Sequence, residues 1–246
     1  MVLLYSQCHG CNESPKIIGG RRAAPGQFPH QISLTYHSSH ICGGSIVSAT
    51  HVVTAAHCVE DLSAAHLGVV SGAQRSSGDG QRHRIKSIRI HPGYTGKASD
   101  GWKNDIAVIT LTAPISFNVF QKPIALASRD YATGTYRGII SGWGKTSVTS
   151  GTSPHLLWAS VNVLSQNDCL AAHPNRHHGS AFTNPKHICT LERRGVGACQ
   201  GDSGGPLVVD NELVGVISWV APCALGVPDV HTNIFHYQNF ILQSEI

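Results

Sequence analysis

The stretch QISLTYHSSHICGGSIVSATHVVTAAHC, residues 31–58, decides the fold class. Gln31–Tyr36, Gly44–Val47 and His51–Thr54 are short β-branched runs separated by turn-forming clusters, too short for helices of ordinary length. The rhythm continues outward at roughly ten-residue spacing. Arg84–Ile90 and Ile106–Leu111 complete a first set of strands. Tyr136–Ser141, Leu156–Leu164, Pro206–Val209, Leu213–Trp219 and Pro228–Asn233 form a second. Between the sets, residues 112–133 carry two prolines and little periodicity, and read as a linker. A short helix fits His236–Ser244. Such spacing predicts an all-β chain of sandwich or barrel type.

Composition agrees with this reading. The 246 residues are 41% hydrophobic, enough for a sizeable core and too many for a disordered chain. Charged residues are only 13%, against ~25% in an average soluble domain, and there are 26 glycines, which suits strands and turns. No apolar run approaches the ~20 residues of a membrane span, and a net charge of +4 is too mild to imply nucleic acid. Arg82, Arg84, Lys86 and Arg89 form one basic stretch, interleaved with Ile85, Ile88 and Ile90 as on a half-exposed strand. Without aromatic partners along the sequence, it reads as a solvated face.

Eight cysteines, scattered and even in number, read as disulfides of a secreted protein rather than as a zinc site, since only Cys8 and Cys11 lie close together. The first sixteen residues look like a leader or propeptide, with one glycosylation sequon at Asn12-Glu13-Ser14. MVLLY lacks the charged start and apolar length of a signal peptide, so either the signal is missing from this sequence or the leader is atypical.

Three segments carry the chemistry: Thr54-Ala55-Ala56-His57-Cys58, Asn104-Asp105-Ile106-Ala107 and Gly201-Asp202-Ser203-Gly204-Gly205-Pro206. A serine hydroxyl is a poor nucleophile near neutral pH and needs an adjacent base. Histidine suits that role, and a carboxylate on its other ring nitrogen fixes the tautomer. His57 stands out among sixteen histidines because it follows an apolar strand and precedes a half-cystine. Asp105, entering an apolar strand, needs a compensating partner, and His57 is the candidate. The backbone N–H groups of Gly201 and Ser203 suit an oxyanion hole, where side-chain bulk at 201 would obstruct the geometry.

With Ile17-Ile18-Gly19-Gly20, Cys42-Gly43-Gly44-Ser45, Ser141-Gly142-Trp143-Gly144 and Ser218-Trp219, these segments resemble the chymotrypsin family of serine proteases from Ile17 to near the C-terminus. The order His, Asp, Ser is that of chymotrypsin. The resemblance implies two antiparallel Greek-key β-barrels, about 17–125 and 130–233, with the active site in the cleft between them and a C-terminal helix at about 236–244. It implies a secreted, monomeric endopeptidase acting on proteins and peptides, open to protein inhibitors, with no cofactor, metal, nucleic-acid or membrane partner. A digestive or venom-type role is the default, the gut lumen being one such setting. The calcium loop of related enzymes needs acidic ligands, and residues 67–81 offer only Asp79. A non-catalytic binding module on the same fold is the competing class.

The resemblance also pairs Cys42 with Cys58, Cys169 with Cys189 and Cys199 with Cys223. Cys8 and Cys11 fall outside that pattern: they pair with each other, stay free or leave with the propeptide. Gly197 corresponds to the floor of the specificity pocket, Ser218, Trp219 and Val220 to its wall and mouth, and Asp229 to its back. A neutral floor rejects a cation, which implies chymotrypsin-like cleavage after apolar residues. Val220 narrows the mouth, which keeps an elastase-like preference open, and Asp229 could broaden specificity as in collagen-cutting crustacean relatives. Lys16-Ile17 resembles a zymogen cleavage site, implying activation by a trypsin-like protease. The freed amino group of Ile17 would pair with Asp202, whose carboxylate is expected to lie elsewhere until then.

Overall fold

A computed structural model describes residues 17–173, 184–220 and 223–243. Lys16, Cys8, Cys11, the sequon and Ser244, the last residue of the expected C-terminal helix, lie outside them. Seven strands make the first sheet: β2 (Gln31–Tyr36), β3 (Ser39–Ile46), β4 (His51–Thr54), β5 (Leu67–Ser71), β6 (Gln81–His83), β7 (Ile85–Ile90) and β8 (Ala107–Leu111), in the spatial order β6-β5-β2-β3-β4-β8-β7. Three consecutive antiparallel strands, β2 to β4, take the fourth, β5, back beside the first, which is a Greek key.

The second sheet repeats that device. It contains β1 (Arg21–Arg22), β9 (Ala125–Leu126), β10 (Tyr136–Gly142), β11 (Leu157–Leu164), β12 (His187–Leu191), β13 (Pro206–Val209), β14 (Glu212–Trp219) and β15 (Asp229–Asn233). β13 returns beside β10, and the pairing of β11 with β12 closes a six-stranded ring. On β11, Leu157, Ala159, Val161 and Val163 are buried while the alternate residues are less so, the period of two expected of a strand with one face in a core. The chain is therefore all-β with two curled antiparallel sheets. α1 (Gln166–Ala172), capped by Ser165, and α2 (Gln238–Leu242) are its only α-helices among the described residues.

Four differences from the sequence reading are informative. Strands β1, β5, β6, β9 and β12 were not expected, because Gly68, His83 and Cys189 dilute their β-branched patterns and pairing alone makes them strands. The helix α1, built on Asn167 and Asp168, lacks an apolar period long enough to read. The C-terminal helix is shorter than expected and begins with a 3₁₀ turn at Ile234–Tyr237. Finally, the segment assigned to the first barrel sends both ends away: β1 pairs with β11, and β9 pairs in parallel with β14. These crossings bind the two sheets together, and one continuous hydrophobic cluster runs from Ile32 and Val53 to Val216 and Ile217.

Candidate active site

Strand register brings His57 and Asp105 together. Thr54 at the end of β4 pairs with Ala107 at the start of antiparallel β8. Three residues beyond Thr54 and two before Ala107 therefore leave the sheet at the same edge. A 3₁₀ turn at Ala56–Cys58 and the Cys42–Cys58 disulfide to β3 fix the histidine segment. Asn104, in the left-handed region at φ 58°, turns the aspartate segment, and its side chain is held by Gly93 and Tyr237.

His57 Nδ1 lies 2.8 Å from Asp105 Oδ2, and the His57 backbone N–H donates to Oδ1 at 2.9 Å. Ser218 Oγ donates to Oδ2 at 2.6 Å, and Thr232 Oγ1 donates to the Asp105 backbone carbonyl at 2.7 Å. Burial pushes the Asp105 carboxyl up, but the His57 hydrogen bond and charge, with Ser218, outweigh it and hold the group below its ordinary value. Burial pulls His57 down, and the Asp105 hydrogen bond and charge, aided by Glu60, more than restore it, leaving the imidazole above its ordinary value. In its neutral form this ring presents Nε2 as an acceptor, because Asp105 holds the proton on Nδ1.

Ser203 belongs to a loop clamped against the histidine segment. Gly43 N–H donates to the Ser203 carbonyl at 2.7 Å. A Cβ on Gly204, at φ 75°, would lie 2.2 Å from Thr54 Oγ1 and 2.6 Å from the Gly43 carbonyl, so only glycine lets the two segments meet. Gly201 sits at φ 94°, and among the described residues the N–H groups of Gly201 and Ser203 donate to no protein acceptor. The Gly201 carbonyl accepts from His40 Nε2 at 3.0 Å, while His40 Nδ1 faces Ser33 Oγ at 2.8 Å. Burial pulls His40 below its ordinary value, with that carbonyl opposing, and a first-barrel ring grips a second-barrel loop by its carbonyl. Nothing in the sequence separates His40 from the other histidines, and sequence reasoning missed it. Ser218, expected on the pocket wall, also serves the aspartate through its hydroxyl.

Asp202 lies in a cradle made by the Ser141-Gly142-Trp143-Gly144 segment. A Cβ on Gly142 would lie 2.2 Å from its Oδ1, and one on Gly144 2.4 Å from its carboxyl carbon. Gly144 N–H donates to Oδ1 at 2.8 Å and Cys199 N–H to Oδ2 at 3.0 Å. Burial pushes this carboxyl up to about 7, with the two N–H donors opposing. Two backbone donors and the room left by two glycines hold it in this cradle. Ile17 is fully buried, and Ile18 bridges to Gly197, with Gly197 N–H donating to the Ile18 carbonyl at 3.1 Å.

Gly197 and Asp229 are in contact. A Cβ on Gly197 would stand 2.8 Å from Asp229 Oδ2, so the missing side chain makes room for the acid. Ala198 N–H donates to that oxygen at 2.8 Å, while the buried Oδ1 has no partner among the described residues. Burial pushes Asp229 up to about 7; the Ala198 bond opposes, and the charge of Asp202 adds. Trp219 is half-buried beside the Cys169–Cys189 disulfide, with His173 edge-on at 5.2 Å, and Val220 is half-buried against the main core. The Cys199–Cys223 disulfide braces the same region. Cys42, His57 and Cys58 are the cluster most able to gather around a metal, but the two sulfurs are joined to each other and cannot act as thiolates.

Comparison with known proteins agrees with this geometry. The trypsin family profile matches residues 17–241. Trypsin alpha of Drosophila erecta and that of Drosophila melanogaster are each 39% identical over 231 residues, covering 93% of this chain and 87% of theirs. Trypsin zeta of Drosophila melanogaster is 38% identical over 240 residues, 92% of this chain and 84% of its own. A catalytic-type His–Asp array, a serine loop clamped beside it and a family match across both barrels lead to one conclusion: the chain belongs to the trypsin family of serine endopeptidases.

Proposed function

We propose that His57, Asp105 and Ser203 hydrolyse peptide bonds through an acyl-enzyme. His57 Nε2 takes the hydroxyl proton as Ser203 Oγ attacks the substrate carbonyl, and Asp105 orients and balances the imidazolium. The oxyanion is received by the N–H groups of Gly201 and Ser203. His57 then gives its proton to the leaving amine, and a water, activated by the same ring, releases the acyl group. The observation that carries this reading is the pair of unspent N–H donors beside a serine loop clamped to the His57 segment. Such donors act where charge develops and are each worth ~10²–10³ in rate.

Cleavage after Lys16 is read as the activating step, performed by a separate trypsin-like protease. It would free an amino group on buried Ile17 to meet the cradled Asp202. Three disulfides support an extracellular, secreted setting. The enzyme is read as a monomer, open to protein inhibitors.

For the residue preceding the cut, we infer an apolar preference with Phe, Tyr and Leu leading, because Gly197 offers no charge and a protonated Asp229 adds none. A second reading, Lys or Arg, is favoured by the partnerless Asp229 Oδ1 once that carboxyl ionises above about 7. A peptide library cut by the trypsin-activated enzyme at pH 6 and pH 8.5 tests both. Apolar cleavage should lead at pH 6, with the Lys and Arg share growing at pH 8.5 and losing that growth in Asp229→Asn. Preferential cleavage after Arg at pH 6 would overturn the apolar reading. Val220→Gly should raise Phe and Tyr over Leu if that side chain narrows the mouth.

A further inference from the structure

The basic stretch that the sequence left as a solvated face acquires aromatic partners in the fold. Arg82 on β6 and Arg84 just after it line a groove of about 540 Å³ on the outside of the first barrel. The opposite lining comes from His37 and Ser38 in the β2–β3 turn and from His66 just before β5. His37 and His66 stack at 4.6 Å with their planes 29° apart, and Tyr36 stands edge-on to His66 at 6.1 Å. The turn is fixed rather than loose, since His37 N–H donates to the His66 carbonyl at 3.0 Å. No carboxylate lines the groove, and among the described residues neither guanidinium has an acidic partner. Asp79, the acid on the neighbouring loop, accepts from the Gln74 and Arg75 N–H groups through Oδ1.

We propose that this groove is a docking site for acidic segments of the polypeptides the enzyme cuts. Two guanidiniums bind carboxylates in bidentate fashion, and the stacked imidazoles supply flat faces and N–H donors for the intervening chain. A short groove with two arginines suits a few consecutive Asp or Glu side chains better than the long basic track that a sulfated polysaccharide needs. β3 links the groove to the catalytic loop: it starts at Ser39 beside the groove, and Gly43 holds the Ser203 carbonyl. Four residues of strand span ~13 Å, so acids about four or more residues from the scissile bond would reach. The proposal rests on the proteolytic reading of the site, and a small substrate separates the two.

The test compares two peptides with one cleavable core, carrying either four Glu or four Gln on a short linker, attached at each end in turn. The enzyme is the trypsin-activated full chain, with Arg82→Ala/Arg84→Ala alongside, and a short chromogenic substrate reports the catalytic site. The Glu peptide should show a KM ~3–10-fold lower than the Gln peptide at one of the two ends, fading in 0.5 M salt. That advantage should vanish in the double variant while kcat and short-substrate activity hold. Equal KM for Glu and Gln peptides at both ends, or an advantage that survives in the double variant, would overturn the proposal. Inhibition of Gln-peptide cleavage by heparin fragments but not by free Glu peptides, lost in the double variant, would overturn it in favour of a sulfated polysaccharide.

Discussion

Converting the uncut chain to the form beginning at Ile17 should change its stability in a pH-dependent way, through Asp202. In the uncut chain this carboxyl is wholly buried with two N–H donors and, among the described residues, no cation, and sits at about 7 against an ordinary 3.8. A group raised in the folded state gives stability that is fully present below its unfolded value and lost as pH rises through the folded one. The cost therefore grows between about pH 4 and pH 7 and then levels off. The gap between about 7 and 3.8 is worth on the order of 4 kcal/mol. An ammonium at Ile17 would return part of that above pH 7 and none below pH 4, where the carboxyl is neutral.

The assay is urea unfolding of uncut and trypsin-cut protein at pH 4.5 and pH 8, both carrying Ser203→Ala so that neither digests itself. At pH 8 the cut form should unfold at a midpoint ~1 M higher, since urea slopes are ~1–3 kcal/mol/M. At pH 4.5 the two should nearly coincide. Asp229 moves in the same direction by a similar amount, so Asp202→Asn in the uncut chain isolates the Asp202 share by removing about half of the loss between pH 4.5 and pH 8. Equal midpoints for cut and uncut protein at pH 8, or an unchanged pH response in Asp202→Asn, would refute the reasoning.

The His57 imidazole lies above its ordinary value of 6.5, so kcat/KM should climb with pH through a midpoint above 6.5; a profile flat from pH 5.5 to 8.5 removes it as the base. Ser218→Ala deletes a 2.6 Å donor to Asp105, and should lower kcat roughly tenfold while moving that midpoint upward, because the aspartate loses a bond that tempers its charge. A kcat loss with no movement of the midpoint would assign Ser218 to packing alone. Gly204→Ala places a methyl against Thr54 Oγ1 in a left-handed backbone, and should cost ~3 kcal/mol or more in thermal unfolding; a melting temperature within about 2 °C of the parent contradicts the clamp.

Strands with unbroken β-branched runs were legible because their pattern is local: Gln31–Tyr36, His51–Thr54 and Pro206–Val209 match the structure residue for residue. Those whose strand character comes from neighbours were not. Leu67–Ser71 carries a glycine and exists as a strand because it pairs with β2 on one side and β6 on the other. The same division runs through the site. Asp105 was legible as an acid leading into an apolar strand, a local contradiction that demands a partner. His40 carries no such mark, because its role comes from contacts 161 residues apart with Gly201 and from a neighbouring strand through Ser33. The groove beside Arg82 is hidden for that reason too: three segments far apart in the chain supply its walls.

Three buried aspartates show how the same side chain is given different work by counting donors. Asp105 receives three hydrogen bonds on its carboxylate, from His57 N, His57 Nδ1 and Ser218 Oγ, and is held ionised. Asp202 receives two and Asp229 one, and both are pushed up to about 7. A carboxylate with its donors in place has no remaining appetite for a cation, which suits a group that must hold one ring steady through every turnover. A buried carboxyl short of donors is costly when ionised, and that cost becomes affinity for whatever arrives with a positive charge or an N–H. On this count the deficit at Asp202 suits an amino terminus made once, by processing. On the proposed reading of the pocket, the deficit at Asp229 suits a substrate side chain that comes and goes, and its proton would govern which side chains those are.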